Sequence, residues 1–332
     1  MTRLREGILT SLAAFCAVSS LFSTAIYTQT SNDADSITAE KVKPHIVKLA
    51  DDRLEGRGAG YKGEKTAAEY IAREFKRIGL KPMGDLSSGG RGYYQEFKFQ
   101  PYHPVIPWEV MTSRNILGLI EGQDPVLKNE VVVIGAHYDG QGRAGQADPT
   151  RRPAAEGSPA DDIWNSANDN ATSISAIIEI ARAIKKSGIG PKRSILFIAF
   201  GAEEHGMIGS IYYVNHPTYP IASHAAMINL EKLGREPDKP LNIAGVRSSK
   251  VWPEAIKLAQ DSTKANIASS PFAFPDSDHY PFGSVHIPAI IVSVSTNIDI
   301  HQPSDTSDKI DFARTAEAAR FTQSVLLQVA NR

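Results

Sequence analysis

The sequence predicts an α/β fold: a single domain on a mixed, mostly parallel central β-sheet, with helices on both faces. Three observations carry that prediction. Short continuous apolar runs occur at 116–120, 131–136, 195–200, 226–230 and 289–294, as expected of strands covered on both sides. Helical patterns separate several of them, at 172–184, 207–214, 251–259 and 312–329, and this alternation is what crossover helices on a parallel sheet require. The composition, 42% hydrophobic and 22% charged over 332 residues with a formal net charge of −1, excludes intrinsic disorder and is ample for a core.

Taken in chain order, the sequence opens on an export segment. Arg3 and Arg5 precede an apolar stretch from Ile8 to Tyr27, and Ser23-Thr24-Ala25 places small residues where a signal peptidase cuts. Residues 1–25 therefore read as a signal peptide and 26–332 as the catalytic domain, exported to the periplasm or secreted, with no stable membrane contact after cleavage. The alternative is an uncleaved anchor, since the stretch approaches the length that spans a bilayer. Cys16, the one cysteine, lies inside this segment, and Phe15 before it argues against lipoprotein processing. The exported chain then has neither disulfide nor thiol chemistry and depends on its core.

Further along, Ala67, Tyr70, Ile71, Phe75 and Ile78 mark an amphipathic helix over 63–78, ended by Gly79 and Pro82. A Gly- and Ser-rich stretch at 84–92 leads to alternation in Tyr94, Phe97 and Phe99, an edge strand or hairpin. The polar, aperiodic connection from Gly140 to Trp164 reads as a mobile rim. Lys and Arg number 36 against 37 Asp and Glu, and the sequence pI is about 6.8, so no basic excess points to a nucleic-acid partner. No sequence feature specifies an oligomeric state.

Open α/β sheets bind ligands beyond the carboxyl ends of their strands, so the residues after each apolar run are the candidates. These are His137-Tyr138-Asp139, Gly201-Ala202-Glu203-Glu204, Glu231 and, past a loop, His301; Asp169 stands where the 172–184 helix begins. Singly, each has an ordinary structural explanation: a hydrogen-bonded histidine, a helix cap, a solvated acidic pair. Jointly, successive strand ends and a helix start bring two histidines and three carboxylates to one rim, a ligand set for a pair of Zn²⁺ ions. In the Glu203-Glu204 doublet, one carboxylate can bind metal while its neighbour accepts a proton from metal-bound water. Asp139 is placed to accept the second ring N–H of His137 and fix its tautomer, a supporting role rather than a ligand's.

The motifs Gly135-Ala136-His137-Tyr138-Asp139, Asn168-Asp169-Asn170-Ala171, Gly201-Ala202-Glu203-Glu204, Asn229-Leu230-Glu231, Ser277-Asp278-His279-Tyr280-Pro281-Phe282 and His301-Gln302-Pro303-Ser304-Asp305-Thr306 occur in this order. With them the chain resembles the co-catalytic zinc exopeptidases, which include bacterial leucyl aminopeptidases, glutamate carboxypeptidase II and glutaminyl cyclases. Asp308-Lys309-Ile310-Asp311 extends the last motif, and Leu54-Glu55-Gly56-Arg57-Gly58 resembles the family's amino-terminal part, so the likeness covers about residues 40–330. It implies that Asp169 bridges two metals, that His137 and Glu231 complete one site and Glu204 and His301 the other, and that Glu203 is general base and later general acid. Asp278 and His279 would support these from behind, and Tyr280 would touch substrate. Two positions depart from the family pattern: Glu231 stands where Asp is frequent, and Asn168 where an acid is frequent. Phe274 occupies the place of a tyrosine that stabilises the oxyanion in some aminopeptidases, so that donor is unassigned. The remaining histidines (His45, His103, His205, His216, His224, His286) read as structural or solvated, His205 being nearest the doublet.

The function this implies is an exported di-zinc aminopeptidase, acting on a peptide or amino-acid-derivative substrate through a hydroxide that bridges the metals. The rivals are a glutaminyl cyclase using one zinc and a carboxypeptidase or dipeptidase on the same scaffold. The latter needs cations for a substrate carboxylate, for which Arg143, Arg151, Arg152 and Arg235 are the candidates. A non-catalytic receptor scaffold is disfavoured because base and ligand positions all carry competent side chains.

Overall fold

The apolar runs become the interior of a nine-stranded sheet. In the computed structural model, which describes residues 37–101, 109–146, 162–294 and 298–332, its strands are β1 (Lys81–Pro82), β2 (Tyr94–Phe99), β3 (Met111–Ile120), β4 (Val131–His137), β5 (Ser194–Phe200), β6 (His224–Glu231), β7 (Leu241–Ala244), β8 (Ile267–Ser270) and β9 (Ala289–Ser293). They lie in the order β1-β3-β5-β4-β6-β9-β7-β8, and β2 also pairs with β3. The central four, β5, β4, β6 and β9, are mutually parallel. Antiparallel pairings flank them, β3 on β5 and β7 on β9. From β4 the chain goes to β5 on one side and then to β6 on the other, so the order reverses at β4.

Side chains alternate between the faces of a strand, which is why these runs are continuously apolar. Val132, Ile134, Ala136, Ile195, Phe197 and Ala199 pack on one face against α1 (Ala39–Leu49), α2 (Lys62–Ile78), α3 (Thr172–Ser187), α5 (Val251–Thr263) and α7 (Phe312–Ala330). Val131, Val133, Leu196, Ile198 and Phe200 pack on the other against α4 (Ile208–Asn215) and α6 (His279–Ser284). Patterning does not mark α1, α6, β7 or β8. Pro44 interrupts α1, α6 is a six-residue helix, and β8 is an edge strand of small residues that is mostly exposed. Strand β3 starts at Met111, before the apolar run, because β2 pairs along its polar half. At the predicted rim, Gly142–Arg143 pairs antiparallel with Ile163–Trp164. Residues 147–161 of that rim, with Arg151 and Arg152, lie outside the described residues, as do His103 and the amino-terminal segment through residue 36.

Where α2 meets β3, Glu64 is buried. Its carboxylate accepts the Gly60 N–H at 2.7 Å and the Tyr138 hydroxyl at 3.2 Å, and also the Ser113 hydroxyl. Burial, opposed by the Ser113 hydroxyl and reinforced by Asp139, pushes this carboxyl up to about 8 from an ordinary 4.5. Between those values the folded chain holds a proton that the unfolded chain has released, so stability falls as pH rises through the window, by about 1.4 kcal/mol per pH unit, and levels off above it. Glu64→Gln removes the titration. Its melting temperature should decline less than the wild type's from about pH 5 to about pH 8, and parallel profiles in thermal melts would refute the assignment.

Candidate metal centre

At the strand-order reversal, the carboxyl ends of β4, β5 and β6 leave the crevice in which open α/β sheets hold ligands. His137 is the last residue of β4 and Glu231 the last of β6. Glu203 and Glu204 follow β5 in a turn where Ala202 adopts φ 55°, an uncommon left-handed conformation for a residue with a Cβ. Asp169 comes from the wide turn Ala167–Ala171 that opens α3, and His301 from the loop between β9 and α7.

Three overlapping sets of ligand atoms each lie within 4.8 Å of one another: His137, Glu203 and Glu204; His137, Asp169 and Glu231; Asp169, Glu204 and His301. His137 Nε2 stands 3.2 Å from Asp169 Oδ1 and 3.5 Å from Glu231 Oε1. His301 Nε2 stands 3.2 Å from Asp169 Oδ2 and 3.5 Å from Glu204 Oε2. Donors held at roughly 2.1 Å from one ion at tetrahedral angles are about 3.4 Å apart. Both triads therefore have the spacing of a shared cation, with one Asp169 oxygen turned toward each. Imidazole nitrogen with carboxylate oxygen is a donor set that suits zinc. Glu203 belongs to neither triad that contains Asp169; its Oε2 is 3.8 Å from His137 Nε2.

A shell of hydrogen bonds aims these side chains. Ser277 donates from Oγ to Glu231 Oε1 at 2.6 Å and is itself held by the Asn229 amide. Gln141 donates to Glu204 Oε1, and Ser166 donates to Gln141 Oε1 at 2.9 Å. The Asp305 carboxylate accepts the main-chain N–H groups of Asn168 and Asp169 at 3.0 and 3.1 Å, tying the His301 loop to the Asp169 turn. Asn168, at a position often acidic in the family it resembles, accepts the Gly234 N–H at 2.9 Å, so it fastens the turn to the chain after β6. Asp299 accepts from Ser304, Lys309 and Arg235 and closes the loop around His301.

Asp139 differs from expectation. The Nδ1 of His137 is 3.2 Å from the main-chain oxygen of Asp139 but 3.6 Å from its Oδ1, beyond hydrogen-bonding range for the carboxylate. The carboxylate instead accepts the N–H groups of Glu203 and Glu204 at 3.1 and 3.2 Å. It fixes the acidic doublet, and its carbonyl receives the imidazole.

Charge separates the carboxylates by function. Burial pushes Glu203 well above the usual glutamate range; His137 opposes the shift and Glu204 adds to it. Burial acts the same way on Glu231, but Lys232 and His137 outweigh it and hold that carboxyl at about 2. Lys232 Nζ is 2.8 Å from Glu231 Oε2, and this ammonium also draws Asp169 well below the usual range against its burial. For His301, burial is outweighed by Asp169 and Glu204, which lift it to about 9. Glu203 is thus drawn toward its protonated form while Glu231 and Asp169 are held ionised, a divergence of the kind that marks acid–base assignments.

Other predicted residues fall differently. Asp278 is fully buried; burial, with His137 opposing, pushes it up to about 7. His279 Nε2 donates to the Phe274 carbonyl at 2.8 Å, so this histidine closes its own loop and supports no ligand directly. Tyr280 is half exposed and lines a surface hollow with Arg247, Phe272 and Ala289. Ala289 begins β9, so that hollow lies toward the strand end opposite Glu231. His205 packs on Phe99 with ring centroids 5.3 Å apart. Arg143 and Arg235 are bound to Asp162 and Asp299 at 2.7 and 2.6 Å. Sequence reasoning passed over Lys232, Gln141, Ser277 and Asp305. The last two sit inside quoted motifs and Lys232 adjoins a strand-end acid, whereas nothing in the sequence distinguishes Gln141.

Residues 115–326 match the model of Peptidase family M28. Aminopeptidase YwaD of Bacillus subtilis is 30% identical over 180 residues, 52% of this chain and 33% of that protein. Leupeptin-inactivating enzyme 1 of Streptomyces exfoliatus is 26% identical over 206 residues, 60% of this chain and 36% of that protein. The chain thus spans about a third of the length of these curated relatives. Among solved structures, the zinc aminopeptidase BSAP from Bacillus subtilis superposes with a TM-score of 0.67 at 18% identity, covering 89% of this chain and 96% of that one. A glutaminyl cyclase from Fimbriiglobus ruber does so at 0.66 and 17% identity, covering 88% and 95%; both likenesses concern the fold. The family match spans every residue from His137 to His301 that builds the two triads, and the chain belongs to Peptidase family M28.

Proposed function

We propose that this protein is a zinc-dependent exopeptidase, an aminopeptidase that hydrolyses the amino-terminal bond of a peptide with Glu203 as general base and two zinc ions per chain. One observation carries the reading: each oxygen of Asp169 lies 3.2 Å from a different histidine, the disposition of a carboxylate shared by two cations. His137 and Glu231 would hold one ion, Glu204 and His301 the other. When bound, the ions would supply Lewis-acid polarisation of the scissile carbonyl and acidification of water.

Glu203 takes the proton of the attacking water and delivers it to the departing amine. Burial raises its proton affinity above that of an ordinary glutamate, which favours taking up the proton it must later release. Acting from outside the Asp169 triads, it does so without any ligand letting go. Asp139 keeps the doublet in place through the two amides, so base and neighbouring ligand cannot drift independently. Of the candidate arginines, the two among the described residues, Arg143 and Arg235, are engaged by acids, which favours an aminopeptidase over a carboxypeptidase, and the names of YwaD and BSAP support the same reading. The amino-terminal apolar segment supports export to the periplasm or beyond.

Glu203→Gln should keep its zinc and lower kcat by roughly 10²- to 10⁴-fold on aminoacyl anilides, with KM little changed; turnover near wild type would remove Glu203 from the chemistry. Asp169→Ala should lose both ions on dialysis, as read by elemental analysis, and two retained equivalents would contradict the bridge. A wild type that carries a single zinc and cyclises an amino-terminal glutaminyl peptide in preference to cleaving a leucyl anilide would favour the cyclase.

A further inference from the structure

We infer that Arg57 is the positioning residue that sets His137 and Asp169 at the separation a shared carboxylate requires. The inference rests on the metal-centre reading above and assigns a task to the Leu54–Gly58 stretch, which the chemistry otherwise leaves unused.

Arg57 is fully buried. Its Nε donates to the Tyr138 carbonyl at 2.8 Å, Nη1 to the Asn165 carbonyl at 2.9 Å and to that of Leu49, and Nη2 to the Ser166 carbonyl at 2.8 Å. Tyr138 lies between His137 and Asp139, and Asn165-Ser166 leads into the turn of Asp169. One planar guanidinium therefore spans the two chain segments whose side chains meet at Nε2 and Oδ1, and anchors both to the end of α1. Every acceptor is a carbonyl. Among the described residues no carboxylate forms an ion pair with the guanidinium, and the largest charges acting on it are those of Asp139, Asp305, Asp169 and Glu204. A buried cation is costly unless it is compensated, so the acidic rim and the guanidinium offset one another while the carbonyls fix the geometry.

The backbone is bent to allow this. Glu55, Gly56 and Arg57 all have left-handed φ, 49°, 66° and 54°, a conformation that disfavours residues bearing a Cβ. Such a turn persists only where its surroundings dictate it. Here they do: a Cβ on Gly56 would stand 2.3 Å from the Gly142 carbonyl oxygen and 2.4 Å from that of Trp164, and Gly58 bridges to Gly140. The turn is wedged between the two segments it aligns. Lysine keeps the charge but not the planar fork.

The test compares full-length wild type with R57K, R57Q and N165A, measuring zinc dissociation constants by chelator competition, visible spectra of the cobalt-substituted forms and thermal melts. The Asn165 side chain binds Ala50 O and Asp52 Oδ1, so N165A loosens the same segment without removing a guanidinium contact. Folded R57K or R57Q should bind zinc about 10- to 100-fold more weakly, as losses behind metal ligands generally do, with an altered cobalt spectrum. N165A should melt earlier while keeping wild-type affinity and spectrum. Arg57 variants with wild-type zinc constants and spectra would overturn the inference, however low their melting temperatures. So would N165A weakening zinc equally, or a failure of both Arg57 variants to fold at any zinc concentration, which would make Arg57 a folding element only. A wild type that binds no zinc would instead refute the metal-centre reading itself.

Discussion

Asp139, Asp169, Glu204, Glu231 and Asp305 are all buried along one rim of a single sheet. Like charges this close and this dry repel strongly, and a protein tolerates them only where cations or hydrogen-bond donors face them. That requirement organises the rim. Main-chain amides face Asp139 and Asp305, histidines face Asp169, the Lys232 ammonium faces Glu231, and the Arg57 guanidinium stands behind the cluster. The charge still facing the crevice is what divalent ions would neutralise.

The carboxylates are chemically alike and differ through what each accepts. Asp139 and Asp305 spend their oxygens on N–H groups and become parts of the framework. Asp169, Glu204 and Glu231 keep an oxygen turned to an imidazole. Glu203 stands at the edge of the set, with burial favouring its protonated form. The parallel centre of the sheet makes the division possible, because strand ends in fixed register hold His137, the doublet and Glu231 within ångströms of one another, without loops long enough to relax. The chain after β6 and the turn before α3 are cross-stitched in turn by Asn168 and Asn170.

The strands and helices that bury apolar side chains on both faces could be read from periodicity alone, since burial and repeat length are the same information. The ends of β4 and β6, where His137 and Glu231 stand, were legible for that reason. So was the convergence of Asp169, Glu204 and His301 on them, because a parallel sheet brings strand ends to one edge. What periodicity does not encode is the direction of a polar side chain in a turn. The Asp139 carboxylate takes two amides because the turn after β5 presents them; its spacing from His137 alone suggests the imidazole. Tyr280 and His279 adjoin a buried acid in sequence, yet α6 points them elsewhere. Edge strands β7 and β8 and the proline-interrupted α1 carry too little apolar pattern to declare themselves. Lys232, Gln141 and Arg57 acquire meaning only when distant segments fold against them. Local residue order therefore determined the layers and the acidic and imidazole side chains that converge at the strand ends, and three-dimensional packing decided which oxygen, nitrogen or ammonium meets which, because hydrogen bonds are directional and apolar burial is not.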